Sequence, residues 1–380
     1  MKINSPITYN RLCNDRLRSI SKLNKAMPEI DLAARGIRIC SGDSVLDINC
    51  DTGALCLVLA KLHPRAKFYL YDDNVAKLET VKKNVQANYL IDNLCVIDYD
   101  FLQLNLFDKK LNVIIFRPGQ FVSACLFEKH IKQAIQLLLP EGRLYVVTHK
   151  KWGAKRQQKT LSSLFNRAEV VVRGRGGYRI IEAVGPRDVV DMKIVRPKIS
   201  FEIFGRLFEV TTDYGLFSKD DLDKGTRFLL LSVVNSIHHS ERLLDVGCGW
   251  GAIGLVAAKI NQNLRVSMVD VSQRAIMAVE TNISQLGLTN RVAAYLGIEA
   301  VQSNDFDLVL SNPPFHSKRD ELVHLFKRVR AKMKKGARIY LVVEKTYLGK
   351  FRLILQEVFR SVRLVKQDTE IGFYILESKK

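Results

Sequence analysis

The fold is decided by residues 242–251, which read RLLDVGCGWG and are followed by the apolar run 252–258. A short apolar run that ends in closely spaced glycines and continues into a helical pattern predicts a strand, a tight turn and a helix. Glycines at positions 247, 249 and 251 allow the backbone to turn tightly and a ligand to approach it closely. A glycine turn that binds no ligand has the same local pattern, so further features are needed to identify a site.

A second copy of this pattern lies 198 residues upstream, where residues 44–53 read SVLDINCDTG. Asp47 there matches Asp245, and Gly53 matches Gly251. Three further pairs of segments keep the same order and spacing: 68–72 with 266–270, 113–118 with 308–313, and 139–145 with 333–340. A repeat of this length indicates a tandem duplication of one domain.

Within each copy, short β-branched runs alternate with longer helical patterns. The alternation predicts an α/β fold with two tandem Rossmann-like domains, each a doubly wound and mostly parallel sheet with helices on both faces. In the second copy the predicted strands are 242–246, 265–270, 306–311 and 338–344, and the predicted helices are 253–260 and 273–285.

The predicted domain border is a segment rich in proline, glycine and charge at residues 186–200. It separates a first domain, residues 1–185, from a second domain, residues 201–380. A β-hairpin over residues 201–212 is predicted to open the second domain, because apolar and polar residues alternate there.

The composition restricts the class of protein. A chain of 380 residues with 47% hydrophobic residues predicts two domains with sizeable cores and excludes a wholly disordered chain. No apolar run approaches the ~18 residues that cross a bilayer, and the first residues lack the apolar core of a signal peptide. The seven cysteines lack C-x-x-C spacing, which predicts free thiols and no zinc site. We therefore expect a cytoplasmic monomer with no membrane association and no metal.

Charge gives the first indication of a partner. The chain has 59 Lys and Arg against 39 Asp and Glu, a net charge of +20, and residues 1–200 hold +14 of that excess. The densest part is 150–199, with 13 basic and 4 acidic residues. So concentrated an excess favours a polyanionic partner, most commonly nucleic acid, over a basic surface that is merely solvated.

Two aspartates narrow the choice of ligand for the glycine turn. Asp245 directly precedes the glycines, and Asp270 ends the next predicted strand, where a carboxylate can accept hydrogen bonds from both ribose hydroxyls. Residues 249–254 also fit the G-x-G-x-x-G dinucleotide pattern. The D-x-G-x-G-x-G form, however, resembles motif I of class I methyltransferases, which bind S-adenosylmethionine.

This resemblance implies a role for each residue of the turn. The backbone of Gly247, Gly249 and Gly251 faces the amino-acid part of the cofactor, and Asp270 faces its ribose. Asp245 holds the loop or orients the methionine ammonium through water. Many relatives also have a carboxylate or amide at the adenine ring, where this chain has Gly297, so backbone groups or Glu299 would take its place.

Residues 307–316, which read DLVLSNPPFH, carry the predicted chemistry. The Asn312 side-chain carbonyl and the Pro313 carbonyl are two acceptors on one side, and they can bind both hydrogens of a planar exocyclic amine. The nitrogen lone pair is then directed at an electrophilic methyl group, so catalysis rests on positioning. Phe315 offers a flat face on which a flipped or unpaired base can stack. We predict Asn312, Pro313 and Phe315 as the catalytic residues.

The Asn-Pro-Pro-Phe motif is similar to that of amino methyltransferases that act on adenine N6, guanine N2 or the glutamine amide. Its continuation into His316, the segment 214–228 (YGLFSKDDLDKGTRF) and the degenerate first copy resemble the guanine-N2 methyltransferases of ribosomal RNA of the small and large subunits. The resemblance implies that S-adenosylmethionine-dependent guanine-N2 methylation is the activity and that Phe217, Gly225 and Thr226 line the cofactor pocket. Adenine-N6 methylation, glutamine-amide methylation and a non-catalytic RNA-binding assembly role remain the alternatives.

The first copy lacks the residues for this chemistry. Asn49 and Asp51 stand where the second copy has glycines, and Arg117, which cannot accept a hydrogen bond, stands where it has Asn312. We therefore predict that residues 1–185 neither bind the cofactor nor catalyse, and that they hold ribosomal RNA or a ribosomal subunit. The predicted contacts are cations for phosphates and a tryptophan for base stacking: Lys150, Lys151, Trp152, Lys155, Arg156, Arg173 and Arg175. A solvated basic face is the alternative for these residues.

Overall fold

The structure is a computed structural model that describes residues 28–88, 92–97, 110–119, 122–187 and 196–380. The chain divides into two compact units, Met1–Ile194 and Val195–Lys380. The described residues of each unit form one seven-stranded sheet. None of their helices is long and apolar enough to cross a membrane.

The first unit alternates strands and helices as predicted. Its described helices are α1 (Pro28–Gly36), α2 (Ala54–Leu62), α3 (Val75–Ala87), α4 (Ala124–Leu137) and α5 (Ala154–Leu164). Its strands are β1 (Ser44–Ile48), β2 (Lys67–Tyr71), β3 (Leu94–Val96), β4 (Leu111–Phe116), β5 (Leu138–His149), β6 (Phe165–Arg173) and β7 (Tyr178–Pro186). The sheet order is β3-β2-β1-β4-β5-β7-β6. Strand β7 pairs antiparallel with β5 and β6, and the other described pairs are parallel.

The second unit begins with a two-stranded hairpin of β8 (Lys198–Ile203) and β9 (Arg206–Thr211). Its helices are α6 (Lys224–His238), α7 (Ala252–Ile260), α8 (Gln273–Gln285), α9 (Arg319–Lys332) and α10 (Leu348–Phe359). The strands of its large sheet are β10 (Arg242–Val246), β11 (Arg265–Asp270), β12 (Val292–Leu296), β13 (Phe306–Ser311), β14 (Met333–Glu344), β15 (Arg363–Asp368) and β16 (Phe373–Lys379). Their order, β12-β11-β10-β13-β14-β16-β15, repeats that of the first sheet, which confirms the predicted fold and its duplication.

Two elements begin several residues before their predicted first residue. The hairpin begins at Lys198, inside the predicted linker, because Lys198 pairs with Thr211 at the open end of the hairpin. Residues 188–195 of that linker lie outside the described residues. Strand β14 begins at Met333 rather than 338, because Met333 pairs with Phe306 ahead of an irregularity in the register.

The core of the second unit lies on both faces of its sheet. Leu243 of β10 packs in the cluster with α6, α7 and α8, and the next residue, Leu244, packs in the cluster with α9 and α10. Successive strand residues point to opposite faces, so this strand is buried on both sides, as parallel strands between two helical layers are. The sheet therefore holds its strand ends rigidly, and the site lies at those ends.

Candidate functional site

The predicted cofactor and catalytic residues meet at one edge of the second sheet. Strand β10 pairs in parallel with β11 on one side and with β13 on the other, so their carboxyl ends lie side by side. Ligands of open α/β sheets bind where the connections leave in opposite directions from such neighbouring strands. The fold thus brings together Asp245, Asp270 and Asn312, which lie in or directly after these three strands.

The glycine loop between β10 and α7 has a backbone conformation that favours glycine. Gly247, Gly249 and Gly251 have φ values of 72°, 56° and 96°, which side-chain-bearing residues rarely adopt. The Gly247 N–H donates to the Val269 carbonyl at 2.9 Å, which fixes the loop against the neighbouring strand. At Gly251 a Cβ would also approach the Leu255 side chain to 3.0 Å. The loop is therefore rigid and exposes backbone rather than side chains.

Asp245 is a buried carboxylate with one unpaired oxygen. It is fully buried, and its Oδ2 accepts a hydrogen bond from the Gly254 N–H at 2.9 Å. Its Oδ1 has no hydrogen-bond partner in the described part of the chain. Burial raises the pKa of Asp245 to about 7, although the Gly254 N–H lowers it and the Asp270 carboxylate raises it further. Asp245 thus fixes the start of α7 through Oδ2, and its buried Oδ1 lacks a hydrogen-bond donor among the described residues.

Asp270 connects the end of β11 to the glycine loop. Its Oδ2 accepts from the Gly249 N–H at 2.9 Å, and its Oδ1 accepts from the Ser272 N–H at 2.9 Å. Asp270 therefore ties the glycine loop to the turn that follows β11. Its predicted contact with a ribose stays a prediction.

Asn312 borders the same space from the end of β13. Its Nδ2 donates to Asp223 Oδ2 and to Thr226 Oγ1, both at 3.0 Å. Its main-chain oxygen lies 3.9 Å from the position of a Cβ at Gly247, so the glycine loop and Asn312 are adjacent. The next residue, Pro313, is buried. Asp223 was not identified from the sequence, although its place three residues before Thr226 is typical of a helix N-cap.

Phe315 is held by aromatic and basic residues around the start of α10. Its ring stacks on Tyr347 at a centroid distance of 5.3 Å and an angle of 16°, and it meets Phe351 edge-on at 6.0 Å. The Lys350 ammonium donates to the carbonyls of Phe315 at 2.8 Å and Ser317 at 2.6 Å. Sequence reasoning missed Tyr347 and Lys350, because neither belongs to a motif and both are more than thirty positions away.

The segment before α6 shows where the other predicted pocket residues lie. Phe217 is 68% exposed, and the neighbouring Ser218 carbonyl accepts from the Trp250 indole at 3.1 Å. Trp250 is buried in the protein core, so it does not face a ligand. Gly225 is buried, and a Cβ there would lie 2.7 Å from the Phe373 ring, so only glycine permits this packing.

The predicted adenine side of the pocket has a distinct geometry. Gly297 has a φ of 81°, and its N–H donates to the Asp270 main-chain carbonyl at 2.8 Å. The Glu299 carboxylate forms an ion pair with Arg328. Its oxygen is thus engaged with a surface cation, and the Gly297 backbone connects this turn to β11.

In the first unit, the aspartate that matches Asp245 forms an ion pair within the chain. Asn49 and Asp51 have φ values of 61° and 53°, so the loop keeps the glycine-like conformation without glycine. The fully buried Asp47 accepts from Arg117, with Nη2 3.1 Å from Oδ2. The carboxylate that matches Asp245 therefore has a cationic partner from its own chain.

The counterpart of Asp270 in the first unit is paired as well. The Asp72 Oδ2 accepts from the Asp51 N–H at 3.0 Å, as in the second unit, but the Lys77 ammonium lies 3.7 Å from the same oxygen. Lys77 also pairs with the Asp51 carboxylate at 3.1 Å. Both carboxylates that correspond to the predicted cofactor ligands thus have a cationic partner within the chain.

The two predicted basic segments of the first unit come together. His149 at the end of β5 pairs with Tyr178 at the start of β7, so the turns Lys150–Trp152 and Arg175–Gly177 are neighbours. Half-buried Trp152 meets Tyr178 edge-on at 5.8 Å. Six cations here are exposed, and none forms an ion pair within the described residues: Lys150, Lys151, Lys155, Arg156, Arg173 and Arg175. We call these six cations the basic cluster.

Side chains that could bind a metal do not gather anywhere in the described ranges. No group of three or more His, Cys, Asp and Glu residues is found there.

Comparison with known proteins reveals a family match in each unit. The family model of the methyltransferase small domain matches residues 32–182 and 207–377. An uncharacterised Bacillus subtilis protein, YbxB, is 30% identical over 189 residues, which are 48% of this chain and 90% of the relative. The ribosomal RNA small subunit methyltransferase C of Shewanella loihica is 25% identical over 359 residues, which are 90% of this chain and 96% of the relative.

A solved structure shows the same tandem fold. The 16S rRNA N2 methyltransferase of T. thermophilus, in complex with AdoMet and guanosine, matches with a TM-score of 0.77 at 19% identity. The match covers 93% of this chain and 92% of that one. Together these similarities confirm the resemblance predicted from motif I and the Asn-Pro-Pro-Phe segment.

Proposed function

Since the chain belongs to the methyltransferase small domain family, we propose that it transfers a methyl group from S-adenosylmethionine to the N2 amine of a guanine in ribosomal RNA. The observation that carries the proposal is the position of Asn312, the residue directly before Pro313, beside the glycine loop. Relatives named as ribosomal RNA methyltransferases support the substrate class. Ribosomal RNA, or a ribosomal subunit, is then the partner, and the enzyme acts in the cytoplasm.

The glycine loop fits S-adenosylmethionine in its chemistry. The unpaired oxygen of Asp245 needs a donor, and the ammonium of the cofactor can provide one directly or through water. A Cβ at Gly249 would meet no atom within 4 Å, so the loop faces open space. Asp270 lies at the end of β11 beside this loop, and a carboxylate there can accept hydrogen bonds from ribose hydroxyls. When bound, the cofactor supplies an electrophilic methyl group on a sulfonium sulfur.

In this proposal, the residues that follow β13 promote the reaction by orienting the guanine amine. Asn312 Oδ1 and the Pro313 carbonyl accept the two amine hydrogens, which holds the nitrogen with its lone pair free for the methyl group. Phe315, supported from one side by Tyr347, offers its other face to the guanine. No general base is needed, because the amine proton becomes acidic once the nitrogen carries the methyl group, and water accepts it.

The first unit serves to hold RNA in this proposal. The basic cluster presents six exposed cations at and beside the neighbouring turns that carry Trp152 and Arg175, and cations with a tryptophan suit phosphate contact and base stacking. The internal pairing of Asp47 with Arg117 supports a unit that no longer binds the cofactor. A basic unit of this kind favours a nucleic acid over the glutamine amide of a protein as the substrate.

The test is the variant Asn312→Ala with ribosomal RNA as the substrate. Turnover should fall by ~10²–10³, because one preorganised acceptor is lost. The affinity for S-adenosylmethionine, measured by calorimetry, should barely change, since Asn312 faces the base. Near-normal turnover would contradict the mechanism, whereas no cofactor binding by the wild-type protein would favour a non-catalytic assembly role.

A further inference from the structure

The Asn312 carboxamide has two orientations that differ only by exchange of its oxygen and nitrogen. One orientation presents an acceptor to the amine of the base, and the other presents two hydrogens that would repel it. A rotation of the terminal torsion interconverts them, and the torsion itself favours neither strongly. An active site that depends on Asn312 Oδ1 therefore needs a neighbour that distinguishes oxygen from nitrogen.

We propose that Asp223 and Thr226 are positioning residues that fix the Asn312 oxygen toward the substrate amine. The proposal rests on the proposed function and concerns how its acceptor is oriented. Asp223 Oδ2 and Thr226 Oγ1 each lie 3.0 Å from Asn312 Nδ2. A carboxylate has acceptors and no donor, so Asp223 favours the carboxamide nitrogen at this position. The Asn312 oxygen must then point away from Asp223.

The start of α6 is built to hold Asp223 in place. Its Oδ2 also accepts from the Thr226 N–H at 2.7 Å, so the same oxygen caps the helix and holds Asn312. A Cβ at Gly225 would lie 3.1 Å from this oxygen and 2.7 Å from the Phe373 ring. Glycine at 225 thus lets Phe373 pack against the cap without displacing the carboxylate. This geometry gives Gly225 and Thr226, predicted as cofactor residues, a second role at Asn312.

The two bonds on one oxygen define a set of matched variants. Asp223→Ala removes the cap and the discriminating acceptor together. Asp223→Asn retains a carbonyl oxygen that can accept from both the Thr226 N–H and Asn312, since a single oxygen does so now. Thr226→Val removes one acceptor and leaves the cap, because the backbone N–H of residue 226 remains, and Thr226→Ser keeps the hydroxyl.

Steady-state methyl transfer to ribosomal RNA is the first measurement. Asp223→Ala should lower kcat by ~10²-fold, comparable to the loss of a preorganised hydrogen-bonding group, with little change in cofactor affinity. Thr226→Val should lower kcat by about fivefold, as expected for one neutral hydrogen bond. Asp223→Asn and Thr226→Ser should remain within about threefold of the wild-type protein. The exposed carboxylate of the same loop, changed in Asp220→Ala, is the control and should leave kcat unaltered.

A second measurement does not depend on activity. The side-chain amide signal of Asn312 is assigned in nitrogen-15 NMR spectra by its loss in Asn312→Ala. Asp223→Ala should move this signal toward that of a solvated amide, and Asp223→Asn should keep it near its wild-type position.

The outcomes separate this proposal from the proposed function. Full turnover in Asp223→Ala, or an unmoved amide signal, would overturn the positioning role. Equal losses in Asp223→Ala and Asp223→Asn would also overturn it, because the shared oxygen would then be irrelevant. A wild-type protein that methylates no RNA would refute the proposed function instead, and the amide signal would still decide whether Asp223 orients Asn312.

Discussion

Replacing Arg117 with alanine should destabilise the first unit, because it leaves the Asp47 carboxylate buried without its partner. Asp47 is fully buried, and Arg117 Nη2 lies 3.1 Å from its Oδ2. Removing one partner of a buried ion pair costs about 3–5 kcal/mol of unfolding free energy. With a urea slope of about 2 kcal/mol per M, the unfolding midpoint should fall by about 2 M.

The two tryptophans of the chain make this measurement specific to each unit. Trp152 reports on the first unit in a Trp250→Phe background, and Trp250 reports on the second in a Trp152→Phe background. Urea unfolding of Arg117→Ala is then followed by the fluorescence of Trp152. The matched variant Asn312→Ala should cost the second unit only about 1 kcal/mol, because no buried charge is left behind.

A double variant identifies the cause of the loss. Asp47→Asn combined with Arg117→Ala removes the buried charge itself, so it should recover most of the stability lost in the single variant. A cost below about 1 kcal/mol for Arg117→Ala, or a double variant that is less stable still, would refute this reasoning. The pair would then not act as an internal substitute for a ligand.

Three further predictions follow from the two sites. Asp270→Ala should weaken S-adenosylmethionine binding by about 1.5–3 kcal/mol for each lost charge-assisted hydrogen bond, whereas Asp72→Ala should leave the binding unchanged. Equal losses of affinity in the two variants, measured by calorimetry, would contradict a single cofactor site. The folded-state pKa of Asp245 is about 7, above its ordinary value of 3.8. The free energy of unfolding of the second unit should therefore fall by at most about 4 kcal/mol as the pH rises from about 4 to about 7, and it should level off above that. Asp245→Asn should abolish this dependence, and a variant that keeps it would exclude Asp245 as its source. The logarithm of the RNA affinity should fall with the logarithm of the salt concentration, with a slope of roughly 0.7–0.9 per phosphate contact. An unchanged slope after four cations are neutralised together would show that these cations do not contact RNA: Lys150, Lys151, Lys155 and Arg156.

The sequence predicted well what local patterns determine. The strand at 242–246, the glycine turn and the helix at 273–285 occur as predicted, because glycine spacing and apolar periodicity act over a few residues. The predicted duplication is also confirmed, since the two sheets have the same strand order. Asn312 could be located because a motif marks it, although its hydrogen bonds to Asp223 and Thr226 could not be predicted.

Contacts between distant residues were outside the reach of those patterns. Asp223 lies 89 positions before Asn312, and Tyr347 lies 32 positions after Phe315, so only the folded sheet edge brings each pair together. Arg117 was recognised as the loss of an acceptor, but its pairing with Asp47 across 70 positions depends on the neighbouring strands β1 and β4.

The central claim is guanine-N2 methylation of ribosomal RNA, and nucleoside analysis of ribosomal RNA from cells with and without the gene tests it most directly. One N2-methylguanosine should be absent from the deletion strain, return with the wild-type gene and fail to return with Asn312→Ala. An unchanged N2-methylguanosine content, with a loss of N6-methyladenosine or of methylated glutamine in a protein instead, would contradict the account.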